Sequence, residues 1–303
     1  MSGLSTRRLL LPAVALASAS LLLVGCAQQS STTESSAAAS ESAAPSESAP
    51  ASESAAPSES ASAEPTTDEC SVENLPLFTP GTLTIGTDTP AYPPYFVDDD
   101  PTNGQGFESA VAYAVAETLG FAPTDVAWTV VPFNSSYAPG DKAFDFDINQ
   151  ISITPKRQKV VDFSDGYYTV NQAVVALKDS PIANATTVTE LQQAKLGAQI
   201  GTTSLDYIND VVQPAEQPYV YNDTNDAKSA LQNGQIDGIV VDLPTAYYIT
   251  AVEIPKGKIV GQFPAPAEGE HFGLLFAKGN PLVTCVNKAL AELNTVGHPD
   301  SEP

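Results

Sequence analysis

Residues 27–67 hold only Ser, Ala, Glu, Pro, Thr and Gln, in near-repeats such as Ser46-Glu47-Ser48-Ala49-Pro50 and Ser52-Glu53-Ser54-Ala55-Ala56-Pro57. With no aromatic and no β-branched aliphatic side chain, nothing there can offset the entropy of ordering the backbone. The stretch reads as a disordered tether with an r.m.s. span of roughly 35 Å. A fold must come from the remainder of the chain, about Asp68 to Pro303, which is long enough for two cores of about a hundred residues each.

The segment before the tether has the layout of an export signal. Arg7 and Arg8 precede an apolar run from Leu9 to Val24, short for a stable bilayer span, which closes on Leu23-Val24-Gly25-Cys26. That ending resembles the bacterial lipobox, in which the Cys is lipidated and becomes the mature N-terminus. The expectation is a signal peptide over 1–25, a lipid on Cys26 and a protein anchored to the outer face of the cell membrane without spanning it.

From Asp68 onward there are 30 acidic side chains against 10 Lys and one Arg, a formal charge of −19. Such a surface repels nucleic acid and anionic headgroups, which excludes both as partners. Only His271 and His298 are available as imidazole ligands, so no metal site is expected, and no cofactor motif occurs. Cys70 and Cys285 remain once Cys26 is assigned. Outside the cytoplasm two cysteines usually form one bridge; two separate buried thiols are the alternative.

Leu83–Asp88 reads as a strand, followed by the turn-prone Thr89–Phe96. Apolar residues at 107, 111, 114, 115 and 119 have helical period, with Gly120 as C-cap. Val126–Val131 and Phe144–Ile153 read as further strands. A second set comes next: strands at 173–177, 196–200 and 236–242, with short helices at 188–193 and 227–232. The sheet restarts at 271–277, and 282–293 forms a late amphipathic helix. This alternation indicates βαβ units and an α/β fold.

Four segments fall at the C-terminal ends of expected strands, where open α/β sheets place ligands. They are Asp88 with Tyr92–Phe96, Asn149-Gln150-Ile151-Ser152 with Arg157, Gly201-Thr202-Thr203-Ser204, and Val241-Asp242. Arg157 is the one guanidinium of the body, and its planar fork suits a carboxylate. The N-terminus of a helix after Gly201 attracts the same anion. Asp242 would meet an ammonium. A carboxylate held at one point and an ammonium at another describes a free α-amino acid.

Between Leu83 and Leu293 the chain is similar to the family 3 extracellular solute-binding proteins, the polar amino-acid receptors of bacterial ABC importers. The resemblance rests on Ile85-Gly86-Thr87-Asp88, Gly106-Phe107-Glu108, Phe144–Ile148, Ser152–Arg157, Val161–Ser164, Gly201–Ser204 and Ile236–Asp242, in that order. It implies two α/β lobes, each a mostly parallel sheet flanked by helices, joined by two crossing strands. Lobe 1 would be 68–171 with 268–303, lobe 2 would be 172–267, and 26–67 the tether. Ligand would close the lobes about hinges near Val170–Ala173 and Ala267–His271.

The same resemblance assigns roles. Arg157 and the backbone at Thr202 and Thr203 would take the α-carboxylate; Asp242, Gln150 and Ser152 would take the α-amino group. Tyr92, Tyr95 and Phe133 would line the side-chain pocket, Asp88 would read a distal amide or ammonium, and Asn149 and Gln199 would complete the set. The partners implied are an amino acid, polar or basic, and importer permease subunits, with the receptor a monomer.

Two departures stand out. The family's helix and Leu-x-x-Gly-Lys turn are replaced by Ser135–Lys142, which alters one wall of the cleft around Phe133. The resemblance also implies a further aromatic helix that the stretch Gly297–Pro303 does not supply, so the expectation is that lobe 1 would be finished differently. Other readings stay open. Asp242 precedes Leu243-Pro244 and would equally N-cap a helix; Tyr92 and Tyr95 would pack a Pro-rich turn; Gly201-Thr202-Thr203 would be only a turn. Asp145 and Asp162 read as structural and His271 as a packing residue. The alternatives to a receptor are a dehydratase- or transglycosylase-like enzyme on the same fold, for which no desolvated Glu is evident, and a ligand-sensing surface lipoprotein.

Overall fold

A computed structural model describes residues 67–263 and 268–297. The signal peptide, Cys26, nearly all of the tether, Ala267 and the stretch from His298 onward lie outside the described residues.

Two five-stranded sheets organise the body. The first contains β1 (Leu83–Thr87), β2 (Val126–Val130), β3 (Phe146–Asp147), β4 (Val161–Val170) and β10 (Glu270–Ala277), in the order β2-β1-β3-β10-β4. The second contains β5 (Gln172–Leu177), β6 (Leu196–Gln199), β7 (Tyr219–Tyr221), β8 (Gly238–Asp242) and β9 (Gly257–Gln262), in the order β7-β6-β8-β5-β9. Each sheet is mixed. β1 lies parallel to β2 and β3, and β6 parallel to β7 and β8, whereas β10 and β5 run antiparallel to their neighbours. The expected βαβ halves are therefore present, each completed by antiparallel strands. This is the two-lobed α/β architecture.

The chain passes between sheets twice. β4 ends at Val170 and β5 starts at Gln172, and the return runs from β9 to β10. β5 shows why the second sheet needs cover on both faces. Ala173 and Val175 pack with Ile239 and Leu231, while Val174 and Ala176 pack with Leu196 and Ile208 on the opposite side. That is the period of two of a strand buried on both faces.

The first lobe packs α1 (Phe107–Thr118) against the last helix, α7 (Leu282–Gly297). Gly106 precedes α1 at φ 91°, and a Cβ there would lie 2.7 Å from Phe96 Cα, so only glycine fits. The helix ends in a Schellman arrangement: Gly120 N–H donates to Glu117 O and Phe121 N–H to Ala116 O, both at 2.9 Å. Cys70 and Cys285 form a disulfide with Cα atoms 5.5 Å apart, pinning the segment before β1 to α7. Asp145 is structural as expected, accepting from the N–H groups of Phe78 and Thr84 at 2.6 Å each. Asp162 accepts from Lys278 Nζ and Gly279 N–H, also at 2.6 Å.

The strand expected over Phe144–Ile153 is mostly absent. Only Phe146 and Asp147 pair with β1, and the chain then turns through Gln150 at φ 48°. The left-handed backbone there breaks the ladder.

Candidate functional site

The ends of four strands, β1 and β3 of the first sheet and β6 and β8 of the second, converge on one cavity. Asp88, Tyr92, Phe133, Asn149, Gln150, Ser152, Arg157, Gln199, Thr202, Thr203 and Asp242 all line it, together with Ser204, Thr224, Val240, Val241 and Thr245. Tyr95 does not. Its ring is buried in the core of the first lobe, edge-on to Phe272, and its hydroxyl only accepts from Thr245 Oγ1 at 3.4 Å. The Pro-rich turn directs Tyr92 outward and Tyr95 inward.

Arg157 opens a short 3-10 turn (Arg157–Lys159) before β4 and is 7 % exposed. Its Nη1 donates to Ser152 O at 2.6 Å and its Nη2 to Gly201 O at 2.9 Å. The guanidinium thus bridges a segment of the first lobe and the turn that starts α4 (Thr203–Tyr207) in the second. It lies 4.8 Å from the Tyr137 ring and 5.5 Å from the Phe133 ring. Burial lowers its pKa, but a guanidinium stays charged regardless. Phe133 begins the one-turn helix α2 (Phe133–Ser136), and its N–H donates to Asp88 Oδ2 at 3.0 Å. The altered segment therefore still seats Phe133 in the wall.

Thr202 is the N-cap of α4: its hydroxyl accepts from Leu205 N–H at 3.2 Å and donates to Gln199 O at 2.7 Å. The first N–H groups of such a turn have no intrahelical acceptor. Gln199 accepts from Thr224 Oγ1 at 3.0 Å, at the start of α5 (Thr224–Gln232).

Asp242 precedes α6 (Leu243–Tyr248) but makes no side-chain cap bond. Its Oδ1 instead accepts from Gln172 Nε2 at 2.6 Å. Burial raises its pKa to about 8; Glu270 and Glu108 add to the rise, and the Gln172 bond and Arg157 oppose it.

Behind the wall lie acids whose place in the site the sequence did not reveal. Glu270 accepts from Ser152 Oγ and Thr203 Oγ1 at 2.7 Å each, tying the two lobes beneath the cavity. Glu108 is fully buried, a desolvated Glu that was not evident from the sequence, but it does not line the cavity. It accepts from Gln150 N–H at 2.7 Å, and from Gln150 Nε2 and Tyr167 Oη. Burial lifts its pKa to about 7 against those bonds. Asp147 sits in the gap left by Gly86, where a Cβ would lie 2.6 Å from its Oδ2; burial, then Glu108 and Asp88, push its pKa well up. Glu108 carried a signal in Gly106-Phe107-Glu108; Gln172 and Glu270 lie at the crossings and carried none.

The site is thus one guanidinium facing several carboxyl groups. Among the described residues, Asn149 Nδ2 is buried in its wall without a hydrogen-bond partner, an arrangement that buried donors rarely keep unless something else satisfies them.

Known proteins share this framework. The chain is 30% identical to the lysine/arginine/ornithine-binding periplasmic protein of Escherichia coli (strain K12), over 72% of its length and 84% of the relative's. It is 28% identical to the L-cystine-binding protein TcyJ of the same organism, over 72% and 79%. A solved ancestral arginine-binding protein bound to arginine superposes with a TM-score of 0.61 at 32% identity, covering 73% of this chain and 95% of that one. The profile of the bacterial extracellular solute-binding proteins, family 3, matches residues 83–300, and the chain belongs to that family.

Proposed function

We propose that this protein captures a free amino acid with a cationic side chain and delivers it to an ABC importer while a lipid on Cys26 holds it at the membrane. The carrying observation is that the body's single Arg and the uncapped carboxyl of Asp242 face one cavity between the two sheets. Arg157 with the Thr202–Thr203 turn suits an α-carboxylate, and Asp242 an α-ammonium. Asp88, whose oxygens accept from Thr89 and Phe133 N–H groups at 2.7 and 3.0 Å, is the acid left for the ligand's far end.

Charge favours a basic ligand. Two unit charges 4 Å apart interact by about 4 kcal/mol at an effective dielectric of 20. A dicarboxylic ligand would bring a second anion to a site with one cation and several acids, whereas lysine or arginine would bring a second cation. Relatives described as binding arginine, lysine or ornithine agree with this. Support for a non-catalytic role comes from Glu108, whose carboxyl is spent on Gln150 and Tyr167 and does not line the cavity. Calorimetric titration with each amino acid, beside an assay for ligand turnover, tests the reading. Binding of basic amino acids without turnover is the expected result; no binding of any amino acid defeats it.

A further inference from the structure

We infer that Tyr137 is a positioning residue that latches the cleft shut over Arg157. Tyr137 directly succeeds α2. Four contacts meet on it. Its ring lies under the Arg157 guanidinium, 4.8 Å from Cζ, and edge-on to Phe133 with centroids 5.6 Å apart. Its hydroxyl lies 3.3 Å from Gly201 O, in the other lobe, and also meets Asn134 Oδ1. Gly201 O is the same carbonyl that accepts from Arg157 Nη2.

One carbonyl of the second lobe is therefore met by a guanidinium and a phenol that stack on each other in the first, the phenol's single proton being shared between Asn134 Oδ1 and Gly201 O. Gly201 has φ 76°, and a methyl built on it would overlap both Asn134 Oδ1 and Tyr137 Oη. The glycine thus allows the turn to be left-handed and allows the two walls to touch. Neither Tyr137 nor Asn134 lines the cavity, so both contribute through Arg157 and through closure.

This inference rests on the amino-acid reading of the cavity, and its test separates the two. In the full chain, Tyr137→Phe keeps the stack and removes the hydroxyl. With arginine as the probe, its dissociation rate is expected to rise about fivefold, the worth of one neutral hydrogen bond, with the association rate unchanged. A dissociation rate within about twofold of wild type overturns the latch. Gly201→Ala is expected to weaken arginine binding further, and Asn134→Ala with Tyr137→Ala in that background to recover part of the loss; no recovery also overturns it. The ligand-free protein gives an independent reading through the distance distribution between spin labels at the exposed Val130 and Val220, one on each sheet. Tyr137→Phe should shift it to longer distances. If wild type binds no amino acid but this shift occurs, the ligand assignment fails and the latch stands; if arginine binds and Tyr137→Phe changes nothing, the latch alone fails.

Discussion

Gln172 Nε2 donates to Asp242 Oδ1 at 2.6 Å, so the carboxyl at the start of α6 turns toward the first crossing strand and away from the helix it precedes. A capping Asp would point to the N–H groups of its own helix. This geometry separates two roles that look alike in the sequence. Asp242→Asn keeps the shape and would replace a cap almost without penalty, but should weaken ligand binding strongly. Arg157→Ala should cost about 2–5 kcal/mol by stranding the opposite charge, which is roughly 30- to several-thousand-fold. Arg157→Lys should recover little, because an ammonium cannot reproduce the fork. Titration calorimetry checks all three; near-wild-type affinity in the Arg157→Ala and Asp242→Asn variants would remove the site assignment.

Asp88→Asn should change selectivity more than affinity for amino acids in general. Loss of a carboxylate opposite the ligand's side chain should lower arginine affinity at least about tenfold relative to glutamine, or about 1.4 kcal/mol. Competition binding with the two amino acids measures the ratio, and an unchanged ratio would place the distal cation elsewhere.

Protonation gives a further prediction. Asp242 and Glu108 have pKa values raised to about 8 and about 7, so the folded protein holds protons that the unfolded chain loses near pH 4. Their contribution to stability is present at low pH and is lost as pH rises from about 4 to 8. The groups facing Asp242 are Glu270, Gln172, Glu108 and Arg157. A ligand ammonium favours the carboxylate, so binding near pH 7 should release protons, and affinity should rise with pH up to about 8. Calorimetry in buffers of different ionisation enthalpy detects the release; affinity that falls over pH 6–8 would contradict it.

The Cys70–Cys285 bridge spans a sequence separation of 215. In the chain-entropy model, closing so long a loop stabilises by about 5 kcal/mol. The double Cys→Ser variant should unfold at lower denaturant concentration, with ligand affinity within about twofold of wild type because neither cysteine lines the cavity. A large loss of affinity at unchanged stability would reverse the assignment.

The sequence showed most clearly the elements whose apolar residues keep a strict period. β1, β6 and β8 are short, nearly all-buried runs, and α1 and α7 keep helical spacing. β4 was not legible because Val161–Val170 alternates irregularly and carries Asp162, Ser164, Asp165 and Gly166, with its register against β10 shifting twice. The cavity walls could be read because Asp88, Thr202 and Asp242 sit at or just past strand ends, and Arg157 is the one guanidinium of the body. Its supports could not, because Glu270 and Gln172 become neighbours only where two distant crossings meet, 98 residues apart in sequence. Tyr95 was misplaced for a related reason: within one Pro-rich turn, direction is set by packing against Phe272, which lies at the far end of the chain.

The position of β10 sets an order of assembly. The second sheet is drawn from one continuous stretch, Gln172 to Gln262, whereas β10 sits between β3 and β4 in the first. As the chain emerges N-terminus first into the compartment where it folds, the later lobe can pair all its strands while the earlier one still has β3 and β4 exposed as open edges. Such edges invite pairing with other chains until β10 arrives. The lobe that comes first along the chain is therefore the last to be completed, and its vulnerable interval lasts for the emergence of everything between its halves.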